Sequence, residues 1–152
     1  MKVKPDNHNF FGIGIMQCKR DYNLGTLWRS ADILGASFIF TIGKDYRKQT
    51  SDVLKSWRKI PLFHYEDFDD FYKHLPYNTR LVAVELDERS IMLPEFEHPK
   101  RAVYLLGAED NGLPPSALDK CHEIIQLYGD ISMNVAVAGS IVMHDRIGKL
   151  SK

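Results

Sequence analysis

The feature that most constrains this chain is an alternation between two structural periods. Short, nearly continuous apolar runs recur at Phe11–Met16, Ser37–Ile42, Ile60–His64, Arg80–Leu86, Ala102–Leu106 and Glu123–Leu127. Runs such as Leu-Val-Ala-Val-Glu-Leu at 81–86 and Ala-Val-Tyr-Leu-Leu at 102–106 have the pattern of strands covered on both faces of a parallel sheet. Between them lie segments of helical spacing, at Leu24–Leu34, Ser51–Arg58, Asp67–His74, Pro115–Lys120 and Asn134–Lys149. In the first of these, Leu24, Leu27, Trp28, Ala31 and Leu34 share one face. Asn23 stands where an N-cap is expected, and Gly35 follows the last turn. Strands alternating with helices predict an α/β fold, a mostly parallel sheet with helices on both faces. The 152 residues are expected to form a single domain, 1–152. In such sheets ligands bind beyond the carboxyl ends of the strands, so the residues that follow each strand carry the functional expectation.

Composition narrows the class. With 44% hydrophobic and 26% charged residues, the chain is neither disordered nor fibrous. No apolar run approaches the roughly 18–20 residues of a membrane span, and the N-terminus lacks the apolar core of a signal peptide. Two cysteines, Cys18 and Cys121, cannot build a disulfide framework, which points to a reducing cytoplasm. Twenty Lys and Arg balance twenty Asp and Glu, which argues against a nucleic-acid surface spread over the whole domain. The charge is nevertheless uneven. Lys44, Arg47, Lys48, Lys55, Arg58 and Lys59 crowd one stretch, with Tyr46 and Trp57 interleaved and only Asp45 and Asp52 opposing. Such a segment can hold phosphates and stack bases, or can be a solvated loop and helix face.

Three segments stand out. The first, Asn23-Leu-Gly25-Thr-Leu-Trp-Arg29, opens a helix after the first strand, where unpaired N–H groups and the helix dipole suit an anion. The second, Gly107-Ala-Glu109-Asp-Asn-Gly112, follows a buried strand. Its Asn-Gly pair signals a turn, and Pro114 and Pro115 suit the first turn of a helix. The third, Ser132-Met133-Asn134-Val-Ala-Val-Ala138, leads into a helix of small residues that permits close packing, with Ser132 or Asn134 as its cap. Each has a plain structural reading as a cap, a tight turn or a packing helix. Other chemistries lack their signatures. The six histidines show no metal-ligand spacing, and there is no Walker A loop, no strand-borne G-x-G-x-x-G and no G-x-S-x-G elbow.

Taken in order, the three segments resemble the signature set of the SpoU (TrmH-like) branch of the SPOUT RNA methyltransferases. Its N-x-G-x-x-x-R is matched by Asn23, Gly25 and Arg29, its G-x-E-x-x-G by Gly107, Glu109 and Gly112, and its S-[LM]-N-V-[SA]-V-A by residues 132–138. The resemblance runs from about Phe11 to Ile147 and is closest to the minimal, single-domain members, many of which act on tRNA. One departure is a loop about one residue shorter before Ser132, with Ile125-Gln126-Leu127 in place of Ile-Pro-Met.

The resemblance implies a SPOUT-type α/β fold with a deep trefoil knot at its C-terminus, a homodimer, and a cytoplasmic S-adenosylmethionine-dependent RNA ribose 2′-O-methyltransferase that uses no metal. The cofactor would contact Val84, Gly107, Ile125, Ser132 and Met133. The reaction would depend on Arg29, supported by Asn23, Glu109, Ser132 and Asn134. Because net charge is zero, RNA would be gripped locally by Lys44, Arg47, Lys48, Lys55 and Arg58, together with Lys19 and Arg20. The alternatives are a methyltransferase acting on rRNA, a knotted RNA-binding protein without activity, or an unrelated α/β domain.

Overall fold

A computed structural model describes residues 10–44, 59–108 and 111–151. Its first strand, β1 (Phe10–Met16), explains an unusual sequence pattern. Phe11, Ile13 and Ile15 point to one face of the sheet, and all are buried. Gly12 and Gly14 alternate with them on the other face. A Cβ at Gly12 would lie 2.2 Å from the ring of Phe38, and one at Gly14 would lie 2.3 Å from the carbonyl oxygen of Phe40. The two glycines therefore make room for the neighbouring strand rather than for a ligand.

That neighbour is β2 (Phe38–Ile42). The remaining strands are β3 (Leu62–Tyr65), β4 (Arg80–Val84), β5 (Ile91–Met92), β6 (Arg101–Gly107) and β7 (Glu123–Gln126). They form one sheet in the order β3-β2-β1-β6-β4-β7-β5, with every pairing parallel. The helices are α1 (Asp21–Leu34), α2 (Phe68–Lys73), α3 (Pro115–Leu118) and α4 (Val135–Leu150).

Helices cover both faces, as expected. On one face Ile13, Ile15, Val82, Tyr104 and Leu106 pack with Leu24, Leu27 and Trp28 of α1 and with Val135, Ala138 and Val142 of α4. On the other, Phe40, Leu81, Val103 and Leu105 pack with Phe68 and Phe71 of α2 and with Ala117 and Leu118 of α3. Burying each large apolar side chain contributes about 1.5–3 kcal/mol, so both layers are needed.

Three local expectations change. The helix α1 begins at Asp21 with Arg20 at its N-cap, so Asn23 does not cap it. Asn23 lies inside the first turn and is only 1% exposed. The strand β5, two residues long at the sheet edge, has no period to read and exists through its pairing with β7. The strand expected over Arg80–Leu86 stops at Val84, where Glu85 turns out of the sheet. The helix expected at Ser51–Arg58 lies outside the described residues. Gly35, in the left-handed region at φ 87°, ends α1 as anticipated, and the side chain of Asn134 caps α4 by accepting from the Ala136 and Val137 N–H groups.

The last two turns of α4 are anchored by a polar cluster. Arg146 is fully buried. Its guanidinium donates to the carbonyls of Pro99 (2.6 Å) and Lys100 (2.8 Å) and to the Tyr104 hydroxyl (3.0 Å). The Tyr104 hydroxyl lies 2.6 Å from His98 Nδ1, and His98 Nε2 lies 2.8 Å from the Asp145 carboxylate. Lys149 bonds Asp145 and the carbonyls of Leu93 and Phe96. Since Asp145 can only accept, Nε2 carries the proton. Tyr104 then gives its own proton to Nδ1 while accepting from Arg146, a pattern that requires neutral His98.

Burial, reinforced by the nearby Arg146 and Lys149, holds the His98 pKa below its usual 6.5, with Asp145 opposing. Between the two values the unfolded chain binds the extra proton and the folded chain does not, so stability rises with pH across that window and levels off on either side of it. The urea midpoint is expected to drop on acidification from about pH 7 to about 5.5, and to drop less in His98→Gln. A His98→Gln profile that drops as steeply as the wild type would contradict the assignment.

Candidate functional site

The strands β4, β6 and β7 are neighbours in the sheet, and their carboxyl ends open into a common pocket. Its floor is apolar, made by Leu106, Val135 and Ala138. Its outer wall is the segment after β7, where Tyr128, Ile131 and Met133 expose 69%, 79% and 41% of their surface. Glu85, Gln126 and Ser132 are its polar side chains.

The spacing of Gly107 and Gly112 has a steric cause. After β6 the chain folds back so tightly that Ala108 and Gly112 form an antiparallel bridge, with Gly112 N–H donating to the Ala108 carbonyl at 3.0 Å. A Cβ at Gly107 would lie 2.5 Å from the Gly112 carbonyl carbon. Gly112 has φ 62°, and a Cβ there would lie 2.5 Å from Glu85 Oε2. Any larger residue forces the turn away from the pocket.

Glu85 is the residue that sequence reasoning missed. It leaves β4 with its N–H bonded to the Ile125 carbonyl. Its carboxylate accepts from the Leu113 N–H at 2.8 Å and from the Leu86 N–H at 3.1 Å. One side chain thereby staples the end of β4 to the glycine turn across the pocket. The signal was present in the sequence, since Glu85 directly follows the apolar run of β4 and is the first polar residue at a strand end. Gln126 plays a smaller part, its amide oxygen accepting from the Ser90 hydroxyl at 2.7 Å.

The candidate residues separate into groups. Val84, Gly107, Ser132 and Met133 line the pocket. Ile125 does not; it is fully buried in the core, and its neighbour Gln126 reaches the pocket instead. Asn23 and Asn134, 111 positions apart, meet where Asn134 Nδ2 donates to Asn23 Oδ1 at 3.1 Å. This bond joins the first turn of α1 to the cap of α4, immediately after Ser132 and Met133. Arg29 lies half-buried further along α1 and is outside the pocket lining. Glu109, Arg47, Lys48, Lys55 and Arg58 lie outside the described residues. Lys44 is exposed just past β2, and its ammonium donates to the Lys19 carbonyl.

Burial pushes the Cys121 thiol up to about 12, so it holds no thiolate at neutral pH. Among the described residues no three His, Cys, Asp or Glu side chains converge to hold a metal ion. No helix among them is long and apolar enough to cross a membrane.

Comparison with known proteins places this geometry. The model of the SpoU rRNA Methylase family matches residues 11–144. The tRNA (guanosine(18)-2′-O)-methyltransferase of Saccharomyces cerevisiae is 28% identical over 134 residues, which is 80% of this chain and 9% of that protein. The chain thus spans under a tenth of that relative's length. Among solved structures, one from work on 2-OH methylation of C/U34 on tRNA superposes with a TM-score of 0.80 at 22% identity, covering 95% of this chain and 99% of the other. The AdoMet-bound rRNA methyltransferase from Sinorhizobium meliloti gives 0.82 at 23% identity, over 97% and 59% of the two chains. The A. aeolicus TrmH/SpoU tRNA modifying enzyme gives 0.83 at 19%, over 94% and 76%. Likeness at these identities is likeness of fold, and the family match extends it to sequence over most of the chain. The chain belongs to the SpoU rRNA methylase family.

Proposed function

We propose that this chain is an S-adenosylmethionine-dependent RNA ribose 2′-O-methyltransferase acting on tRNA, as one domain, in the cytoplasm. The observation that carries this reading is the convergence of Gly107 and Gly112 with Ser132 and Met133 on one pocket at the strand ends. The names of the relatives supply the acceptor: the yeast protein is a tRNA 2′-O-methyltransferase, and the C/U34 work concerns tRNA. The rRNA reading is kept because the family description and the S. meliloti enzyme both name rRNA.

The pocket fits a nucleoside cofactor. Leu106, Leu127 and Met133 offer apolar walls for a purine, and Glu85, Gln126 and Ser132 offer the few polar groups that orient such a ligand. When bound, S-adenosylmethionine supplies a methyl group on a cationic sulfur, electrophilic without a metal. In the transfer the carbon–sulfur bond breaks, a carbon–oxygen bond forms to the ribose oxygen, and the hydroxyl proton leaves to solvent. What the protein adds is alignment, which can remove a large share of the barrier.

The 2′-hydroxyl is a poor nucleophile and becomes better as negative charge develops on it. An arginine guanidinium keeps its proton, so the role open to Arg29 is to stabilise that charge or to clamp the adjacent phosphate. The hydrogen bond between Asn23 and Asn134 ties α1, which bears Arg29, to the cap beside Ser132.

Arg29 lies outside the pocket of its own protomer, and a homodimer supplies a route to it. Ile33 on α1 and Val137 and Ile141 on α4 expose 61%, 50% and 38% of their surface, an apolar strip for a second copy to cover. The deep trefoil knot belongs to the same proposal. Its parts would be the loop after β4, the glycine turn and residues 127–134, which the pocket already brings together.

Methyl transfer from labelled S-adenosylmethionine to unmodified total RNA tests the function. Label is expected in the tRNA fraction, within a dinucleotide that resists alkaline hydrolysis. Label in rRNA alone selects the second reading, and cofactor binding without transfer to any RNA points to a partner protein or a prior modification that the substrate requires. Arg29→Lys is expected to lose most transfer while cofactor affinity stays within about threefold; near-normal turnover would remove its role. Glu85→Ala frees two backbone N–H groups and loosens the glycine turn, so calorimetry is expected to find cofactor affinity down about tenfold, about 1.4 kcal/mol. An unchanged affinity would leave Glu85 no part in shaping the pocket.

A further inference from the structure

The helices α1 and α4 lie side by side on one face of the sheet, and polar groups meet across their seam at two heights. At the start, Asn134 Nδ2 donates to Asn23 Oδ1 at 3.1 Å. Further along, the hydroxyls of Ser30 and Ser140 lie 2.9 Å apart. Between these bonds the helices touch through Leu27 and Gly139, where a Cβ on the glycine would lie 2.5 Å from Leu27 Cδ1. On α1 the three positions form one stripe, at i, i+4 and i+7. At 1.5 Å per residue, the rise from Asn23 to Ser30 is about 10 Å and that from Asn134 to Ser140 about 9 Å, so the helices run in the same direction in matched register. Ser30 and Ser140 belong to none of the three sequence motifs.

The bond between the two serines has a fixed direction. The Ser140 hydroxyl also lies 2.7 Å from the Ala136 carbonyl. It has one proton, and a carbonyl can only accept, so that proton goes to Ala136 and Ser30 donates to Ser140 Oγ. Alanine at either position removes the bond. Threonine at 140 keeps the acceptor, since its hydroxyl makes the same bond to the carbonyl one turn back.

Most of what holds α1 to the sheet is apolar, through Leu24, Leu27, Trp28 and Ala31. Apolar burial has no direction, so it keeps a helix down without fixing its rotation. Two other directional contacts, Trp28 Nε1 to the Ile60 carbonyl and Asp32 to Lys59 at 3.6 Å, reach the segment before β3 and not α4. Rotation of α1 against α4 is therefore set by the two bonds on their seam. Arg29 immediately precedes Ser30 and turns with it. Ile33, one turn beyond Ser30, and Val137 and Ile141, on either side of Ser140, are the exposed strip that a second copy would cover.

We propose that Ser30 and Ser140 are positioning residues for Arg29. Their bond fixes the rotation of α1 against α4, and with it the direction in which the guanidinium leaves the helix. Methyl transfer is sensitive to that direction, because a misplacement of about 1 Å can cost about 100-fold in rate. The proposal rests on the methyltransferase reading and on Arg29 acting in the transfer.

The test follows methyl transfer to unmodified bulk tRNA, beside calorimetry with S-adenosylmethionine and urea unfolding. In S30A and in S140A, kcat is expected to fall about tenfold, while the KM for tRNA and the cofactor affinity stay within about twofold. The urea midpoint should move by less than about 1 M, the scale of one hydrogen bond. S30A/S140A should be no slower than either single variant, since both remove the same bond, and S140T should recover most of the rate. Adding S30A to R29K should cause no further loss, because nothing remains to be positioned. In isotopically labelled protein the Arg29 Nε–H resonance, assigned by its loss in R29K, is expected to shift in S140A and return in S140T, a readout that needs no RNA.

Near-normal turnover in S30A and S140A would overturn the proposal, and so would an Arg29 resonance that does not move in S140A. A further tenfold loss on adding S30A to R29K would do the same, since it marks a role in stability alone. Wild-type transfer with near-normal turnover in R29K would remove the part given to Arg29 and that of the two serines with it. A wild-type chain that neither binds S-adenosylmethionine nor transfers methyl would reject the methyltransferase reading itself.

Discussion

A guanidinium with no exposed surface sits between the C-terminal helix and the turn that enters the central strand β6. Burying such a charge costs several kcal/mol unless its donors are met. The two Nη groups of Arg146 meet the carbonyls of Pro99 and Lys100 and the hydroxyl of Tyr104, while its Nε has no hydrogen-bond partner among the described residues. The rings of Phe11 and Tyr104 lie beside it, with Phe11 4.9 Å away in β1. The helix, the turn at residues 99–100 and the two middle strands are consequently one mechanical unit. If α4 were displaced at this end, buried carbonyls and a buried charge would be exposed together. Its other end, which carries the Asn134 cap, forms a wall of the pocket.

The glycine turn after β6 is the second device on which the site depends. Gly107 and Gly112 let backbone pass where any side chain would collide, and Glu85 holds the fold of that turn from the neighbouring strand. The turn separates two openings with different linings. One is apolar with a few polar groups, and the other carries two lysines and two amides.

Much of this was legible in the linear chain. The apolar runs identified six of the seven strands, because strands buried on both faces leave a signal that needs no knowledge of their neighbours. The edge strand β5 left none, being two residues long and defined by its partner. The ordered motifs marked the pocket's glycine turn and its Ser132-Met133 wall, while Glu85 escaped notice because its role exists only across the sheet. Asn23 was misplaced for a related reason. A polar residue near a helix start is ordinarily a cap, and nothing local reveals that its side chain is buried against a residue 111 positions away.

By itself, then, the sequence determined the fold class, the parallel character of the sheet, the covering of both faces and the segments from which a site is built. Periodicity, turn residues and caps are local properties, written in adjacent residues. The tertiary structure decided which of those segments meet. It set the order of the strands and hence the place where that order reverses. It paired Asn23 with Asn134, closed Glu85 onto the glycine turn and bonded the Nη groups of Arg146 to carbonyls from a distant turn. These are outcomes of packing at long sequence separation, where shape, hydrogen-bond geometry and the cost of buried charge select one partner among many that local sequence leaves equally possible.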